Sequence, residues 1–123
     1  MSRYSESIEN YIEQILVLSK DGKGARVTDI AAGLNVSKAS VAEIIKKLKV
    51  EGLVIHERYR NVFLTERGEE LAAKVFEKHE AISKFLKDVL GVSAENAEEE
   101  ACKIEHIISD ETYEKIKEKI KGL

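Results

Sequence analysis

The fold is decided by residues 27–54, VTDIAAGLNVSKASVAEIIKKLKVEGLV. In the first half, Thr28 can cap a short helix that turns Ile30, Ala31 and Leu34 inward. GLNVS (33–37) makes a turn, and a second helix starts at Ser37 or Lys38. Val41, Ile44, Ile45 and Leu48 then recur at the i, i+3, i+4, i+7 spacing of a buried helical stripe, until Gly52 stops it. Two short helices across a tight glycine-containing turn, the second with a polar outer face, form the helix-turn-helix pattern.

After Gly52 the period changes. Residues 53–65, LVIHERYRNVFLT, are two β-prone runs around RYRN, which predicts a hairpin. A helix-turn-helix followed by a hairpin is a winged helix, with Arg58 and Arg60 at the wing tip, in reach of backbone phosphate or a minor groove. Upstream, a first helix over 5–19 carries Ile8, Tyr11, Ile12, Ile15 and Leu18 on one stripe, and KDGKGAR (20–26) breaks it. Downstream, Thr65 caps a long helix ending at Gly91, with an apolar stripe of Leu71, Val75, Ile82, Phe85, Leu86 and Val89 and with His79 in its middle. A helix from about Ser93 and a last one with Tyr113, Ile116 and Ile120 inward complete the chain. Helices of this kind, carrying no evident catalytic group, suit a dimer interface, and dimers match palindromic operators.

The 123 residues fit one domain or one small domain with an extension. No apolar run approaches a membrane span, MSRYSESIEN lacks a signal core, and the single cysteine suits a reducing cytoplasm. The absence of proline, a single glutamine and abundant Lys and Glu point weakly to a thermophilic source. A net charge of −3 argues against a nucleic-acid partner, but its distribution argues for one. Residues 20–67 hold ten basic against six acidic side chains, whereas 68–123 hold nine against fourteen. A basic segment between acidic ones fits local phosphate contact.

Near the C-terminus stands EEEACKIEHIISD (98–110). On a helix, Cys102, Glu105 and His106 share one face and offer a soft, a hard and a borderline ligand to a transition metal. A buried cysteine beside an ordinary charged pair is the alternative from this stretch alone.

Taken together, these segments resemble the diphtheria toxin repressor family, which includes the manganese transport regulators. The likeness runs from Tyr4 to Lys121 and is carried by ENYIEQIL (9–16), the helix-turn-helix run, ERYRNVFLTERGEELA (57–72), KHEAISKFL (78–86) and, most specifically, EACKIEH with the following Ser109 and Asp110. It implies a cytoplasmic homodimeric repressor with Fe(II) or Mn(II) as corepressor, binding double-stranded DNA at a palindromic operator. The implied fold is mainly α with a small β-hairpin. A winged helix-turn-helix domain (1–65) precedes a helical metal-binding and dimerisation domain (66–123), with no SH3-like third domain.

The resemblance also implies a ligand set. Cys102, Glu105 and His106 match the main site of iron-type members, where a first-helix residue completes the shell. That residue is Met in the iron type and Asp in the manganese type, and here it is Asn10, which matches neither. Glu13 matches a first-helix ligand of the manganese type, in which Cys102 is replaced by Glu. His79 matches a ligand of a second site, whose other iron-type ligands are Ser83 and Glu98 here, so that Glu98 can still offer oxygen. The thiolate favours Fe(II), with Zn, Co or Ni able to bind in vitro, while Asn10 and Glu13 keep Mn(II) tolerable. By this reading the metal ties the first helix to the C-terminal domain and sets the spacing of the dimer's recognition helices.

On the recognition helix, Ser37, Lys38, Ala39, Ser40 and Glu43 occupy the start and exposed face. Hydroxyls and Lys38 suit phosphate, the Ala39 methyl suits a thymine methyl, and Glu43 can accept from cytosine N4. Lys46 and Lys47, with Arg58 and Arg60, suit the backbone. A winged-helix regulator answering a small molecule or a partner protein is the alternative function. An enzyme with Glu105 as general base lacks any substrate-positioning motif.

Overall fold

A computed structural model describes residues 6–122. The chain forms α1 (Glu6–Leu18), α2 (Val27–Leu34), α3 (Lys38–Val50), β1 (Val54–His56), β2 (Val62–Leu64), α4 (Glu66–Lys84), a π-helical turn (Phe85–Val89), α5 (Ala94–Ile104) and α6 (Asp110–Lys121). It divides into two compact units, residues 7–73 and residues 74–122 with Glu6, the main division falling inside α4. The family of helices with one antiparallel hairpin is the expected architecture.

In the N-terminal unit, Tyr11, Ile12 and Ile15 of α1 are buried, with Ile30 and Ala31 of α2 and Val41, Ile45 and Leu48 of α3. Ile8, Leu18, Leu34 and Ile44 are only half-buried, and Ser5 lies outside the described residues. Thr28 does not cap α2. The helix starts at Val27 with Arg26 at the N-cap and no side-chain cap bond, leaving Thr28 inside the first turn. The reason is upstream: Ala25 pairs with Val62 through two 2.8 Å backbone bonds, which fixes the chain as extended up to Arg26. Gly24 permits that approach, because at its φ of +79° a Cβ would lie 2.8 Å from the Val62 carbonyl. The turn into α3 uses Asn35 in the left-handed region, φ 55°.

α3 packs on α2 and on β1. It ends through Glu51 and Gly52, whose φ of +73° is the left-handed stop that the sequence predicts. β1 and β2 pair in the register Val54↔Leu64, Ile55↔Phe63, His56↔Val62. Thr65 caps α4 and also ties it back: its Oγ1 donates to the Gly52 carbonyl at 2.6 Å and accepts from the Gly68 N–H at 3.1 Å.

In the C-terminal unit, Ile82, Leu86, Ala97, Ala101 and Ile116 form the core, with Phe85, Val92, Ile104, Ile108 and Ile120 packed against it. Both α5 and α6 pack on the π-turn. That turn alters the expected stripe of the long helix. Each π-helical residue advances less than 100° around the axis, so the α-helical phase fails and Val89 is 39% exposed. Ser93 and Ser109 cap α5 and α6 by accepting from the Asn96 and Thr112 amides. Tyr113 and Ile120 are half-buried, and Ile116 is the buried residue of α6.

Candidate metal centre and DNA-binding surface

His79 of α4, Cys102 of α5 and Glu105 at the C-cap of α5 bring one ligand atom each to within 4.8 Å of one another. α5 ends at Ile104, so Glu105 caps the helix and His106 follows in the turn, although a continuous helix is what the spacing suggests. Glu105 is 1% exposed, and Cys102 is exposed, which removes the reading of Cys102 as a buried core thiol.

Three contacts define the chemistry. His79 Nδ1 lies 3.1 Å from Glu105 Oε2 and 3.7 Å from Cys102 Sγ. His106 Nε2, on a buried side chain, lies 3.2 Å from Glu105 Oε1. The two approaches to Glu105 are close without being well-directed hydrogen bonds, so a buried carboxylate faces nitrogen on both sides with neither oxygen conventionally satisfied. Nitrogen, sulfur and oxygen donors at this separation fit a divalent transition metal, whose ligand atoms stand roughly 3 to 4 Å apart around bonds of about 2.0–2.3 Å.

The outer side of His79 is held separately. Its Nε2 is 2.8 Å from Glu98 Oε2, while Glu98 Oε1 accepts from Ser83 Oγ at 2.7 Å and lies 3.8 Å from Lys87 Nζ. The Ser83 hydrogen bond, then that of His79, hold the Glu98 carboxyl below its ordinary value. Ser83 is buried four residues after His79 on the same helix face, a spacing from which this support could have been read. The resemblance assigns His79 to a second site, and in the structure its Nδ1 faces Cys102 and Glu105. Asn10 and Glu13 lie half-buried on α1, in the other unit.

On the N-terminal unit, Ser37, Lys38, Ala39, Ser40, Glu43, Lys46 and Lys47 are all exposed on α3 or at its cap. Ser37 is committed to the helix: its Oγ accepts from the Ser40 amide at 3.0 Å and donates to Ser40 Oγ at 2.9 Å. The Ser40 hydroxyl proton is the one left to point outward. At the wing tip, the Arg60 amide donates to the Glu57 carbonyl at 3.0 Å and closes a tight turn. Arg60 pairs with Glu57 at 3.4 Å, and Arg58 stands 4.9 Å from the centre of the Tyr59 ring. Tyr59, at φ 63° and 90% exposed, has no signal in the hydrophobic pattern.

Residues 3–62 match the iron dependent repressor N-terminal DNA binding domain, and residues 65–123 match the iron dependent repressor metal binding and dimerisation domain. The chain belongs to the iron-dependent repressor family. This is a family of metal-dependent, DNA-binding transcriptional regulators and not of enzymes. An uncharacterised HTH-type transcriptional regulator of Methanocaldococcus jannaschii is 41% identical over 114 residues, covering 92% of this chain and 91% of its own. The transcriptional regulator MntR of Escherichia coli O6:H1 is 42% identical over 109 residues, 89% of this chain and 70% of its own. Among solved structures, the manganese regulator SloR superposes with a TM-score of 0.78 at 32% identity over 93% of this chain. This chain spans 53% of the SloR chain. No helix among the described residues of this iron-dependent repressor family member is long and apolar enough to cross a membrane.

Proposed function

We propose that this chain is a cytoplasmic, homodimeric repressor of metal-uptake or metal-homeostasis genes, with Fe(II) as corepressor and a palindromic operator as its DNA target. The observation that carries the reading is the buried Glu105 carboxylate between two imidazoles, with the Cys102 thiol on the same centre. Cys102, Glu105, His106 and His79 are the proposed holders of the metal. A divalent ion supplies the positive charge that lets these donors all stand deprotonated. Glu98 and Ser83 support the opposite nitrogen of His79, with Glu98 a ligand only where a second ion binds. Asn10 and Glu13 stay in the proposed set on the resemblance alone.

Fe(II) is favoured by the thiol, since sulfur selects softer ions. Mn(II) is the second reading, favoured by relatives bearing the names MntR and manganese regulator SloR. On the DNA side, Lys38, Ser40, Lys46, Lys47, Arg58 and Arg60 are the proposed phosphate contacts, and Ala39 and Glu43 face base edges. Ser37 acts through the helix cap. The proposed division of labour places DNA binding in 1–65 and metal and dimer contacts in 66–123. Metal then raises DNA affinity by the difference in its affinity for the DNA-competent and other states, typically about 1–3 kcal/mol.

The test is an anaerobic titration of metal-stripped protein with Fe(II), Mn(II) and Zn(II), for the natural chain and Cys102→Ala, followed by DNA retention with and without each ion. Saturable binding weakened in the variant, with DNA retention that requires metal, is the expected result. DNA retention indifferent to metal would favour a regulator that answers a small molecule or partner protein.

A further inference from the structure

The wing tip holds an unusual residue for its backbone. Glu57 to Arg60 form a turn closed by the Arg60 amide on the Glu57 carbonyl at 3.0 Å, and Tyr59 is its third residue with φ 63°. Positive φ at that position suits glycine or asparagine, which adopt it with little steric cost, and penalises a bulky side chain. Strain of this kind persists where burial or hydrogen bonding offsets it. Tyr59 is 90% exposed, so packing does not offset it. The turn is anchored without the ring: His56 Nε2 lies 3.0 Å from the Arg60 carbonyl, and Asn61 Nδ2 donates to the Lys23 carbonyl at 2.9 Å.

The tip is also assembled as an aromatic and cationic unit. Arg58 lies 4.9 Å from the centre of the Tyr59 ring, and Arg60 neutralises Glu57 at 3.4 Å. That leaves one net positive charge beside an exposed ring, on a hairpin pinned by β2 to Ala25. An aromatic ring flanked by guanidinium groups suits the walls of a DNA minor groove, where sugars offer apolar surface and phosphates line both edges. A·T pairs present only acceptors on the groove floor, which a phenol hydroxyl can meet as donor, and A-tracts narrow the groove in a way that draws in arginine.

We propose that Tyr59 is a DNA-contacting residue of the wing, its ring and hydroxyl entering an A·T-rich minor groove while Arg58 and Arg60 lie along the bordering phosphates. The proposal rests on the reading of this chain as a duplex-DNA-binding repressor, and it adds a specificity-determining residue outside the recognition helix.

The experiment uses full-length protein loaded with Mn(II) and a duplex selected from a randomised library by the natural protein. Failure of the natural protein to select or retain any duplex would sink the functional reading itself, before Tyr59 is in question. Given retention, Tyr59→Asn and Tyr59→Gly relieve the backbone strain and remove the ring. The expected result is a roughly tenfold weaker affinity with an unchanged salt slope, because no charge is removed, and a thermal midpoint equal to or above that of the natural chain. Tyr59→Phe is expected to keep most of the affinity and to lose discrimination when A·T pairs under the wing are replaced by G·C. Affinity within about twofold in Tyr59→Asn overturns the proposal. So does a salt slope that falls as far as in Arg58→Ala, since the ring would then only position the guanidinium. A lower thermal midpoint in both variants likewise overturns it, because the ring would be holding the wing together.

Discussion

Metal binding at His79, Cys102 and Glu105 should be strongly linked to protons, and the number can be worked from the contacts. His79 offers two ring nitrogens to three acceptors: Glu98 at 2.8 Å on Nε2, and Glu105 at 3.1 Å and Cys102 at 3.7 Å on Nδ1. A neutral imidazole carries one N–H. With that proton on the Glu98 side, the Nδ1 lone pair faces a buried carboxylate, an arrangement relieved by a second proton or by a cation. An ion taken up there displaces the proton of the Cys102 thiol, and it displaces an imidazole proton only from the fraction of His79 that carries two. The thiol gives about one proton, and the imidazole adds up to about one more as the pH falls. Each displaced proton weakens apparent affinity about tenfold per pH unit, or about 1.4 kcal/mol, so lowering the pH from about 7 to 6 should cost at least about tenfold and at most about a hundredfold. In Cys102→Ala the thiol's share is gone and the same change should cost about tenfold less than in the natural chain. Calorimetric titration in buffers of different ionisation enthalpy counts the protons directly. Equal release in the two proteins, or affinity flat from about pH 6 to 8, would refute the assignment of Nδ1 and Sγ as ligand atoms.

Three further outcomes follow from other contacts. Thr65→Ala should destabilise the fold by about 2 kcal/mol in urea unfolding, roughly half for the lost cap of α4 and half for the Gly52 carbonyl, while Thr65→Ser should keep most of it. Glu98, whose carboxyl is held down by Ser83 and then His79, contributes stability that is present above its ordinary value of 4.5 and is lost as pH falls through the lowered value. Glu98→Gln should therefore flatten the acid limb of the stability curve below pH 4.5, by a modest amount since the side chain is 56% exposed, as read from thermal midpoints down an acid series. Arg58→Ala and Arg60→Ala should each reduce the slope of log affinity against log salt by about 0.9 if each meets one phosphate, whereas Lys115→Ala on α6, paired with Glu118, should leave the slope unchanged.

Much of the N-terminal unit was legible because its punctuation is chemical. Ser37 caps α3, Gly52 ends it at positive φ, and Thr65 opens α4, each where side-chain or backbone freedom demands that residue type. Thr28 misled because a capping side chain was read without the Ala25–Val62 pairing, a contact between residues 37 positions apart that no local pattern encodes. The π-turn was equally hidden: nothing in FLKDV distinguishes it from an α-helical continuation, and Val89 fell out of phase as a result. At the candidate centre, spacing placed Cys102, Glu105 and His106 near one another. Only the fold brings in His79 from α4, a residue that the resemblance assigns to a second site. Tyr59 escaped because hydrophobic periodicity does not report backbone strain.

Glu105 is the C-cap of α5, and the consequence concerns the ion's selectivity. The carbonyl ends of a helix carry a partial negative charge that attracts any cation, and here a buried carboxylate adds to it. Such a field rewards charge and is blind to the identity of the element that bears it. A centre built at this end of a helix is thus a general attractor for divalent ions, and discrimination among them falls to the imidazole and the thiol. Evolution could therefore retune the preferred metal by exchanging the residue at position 102 while leaving the electrostatic frame of α5 intact.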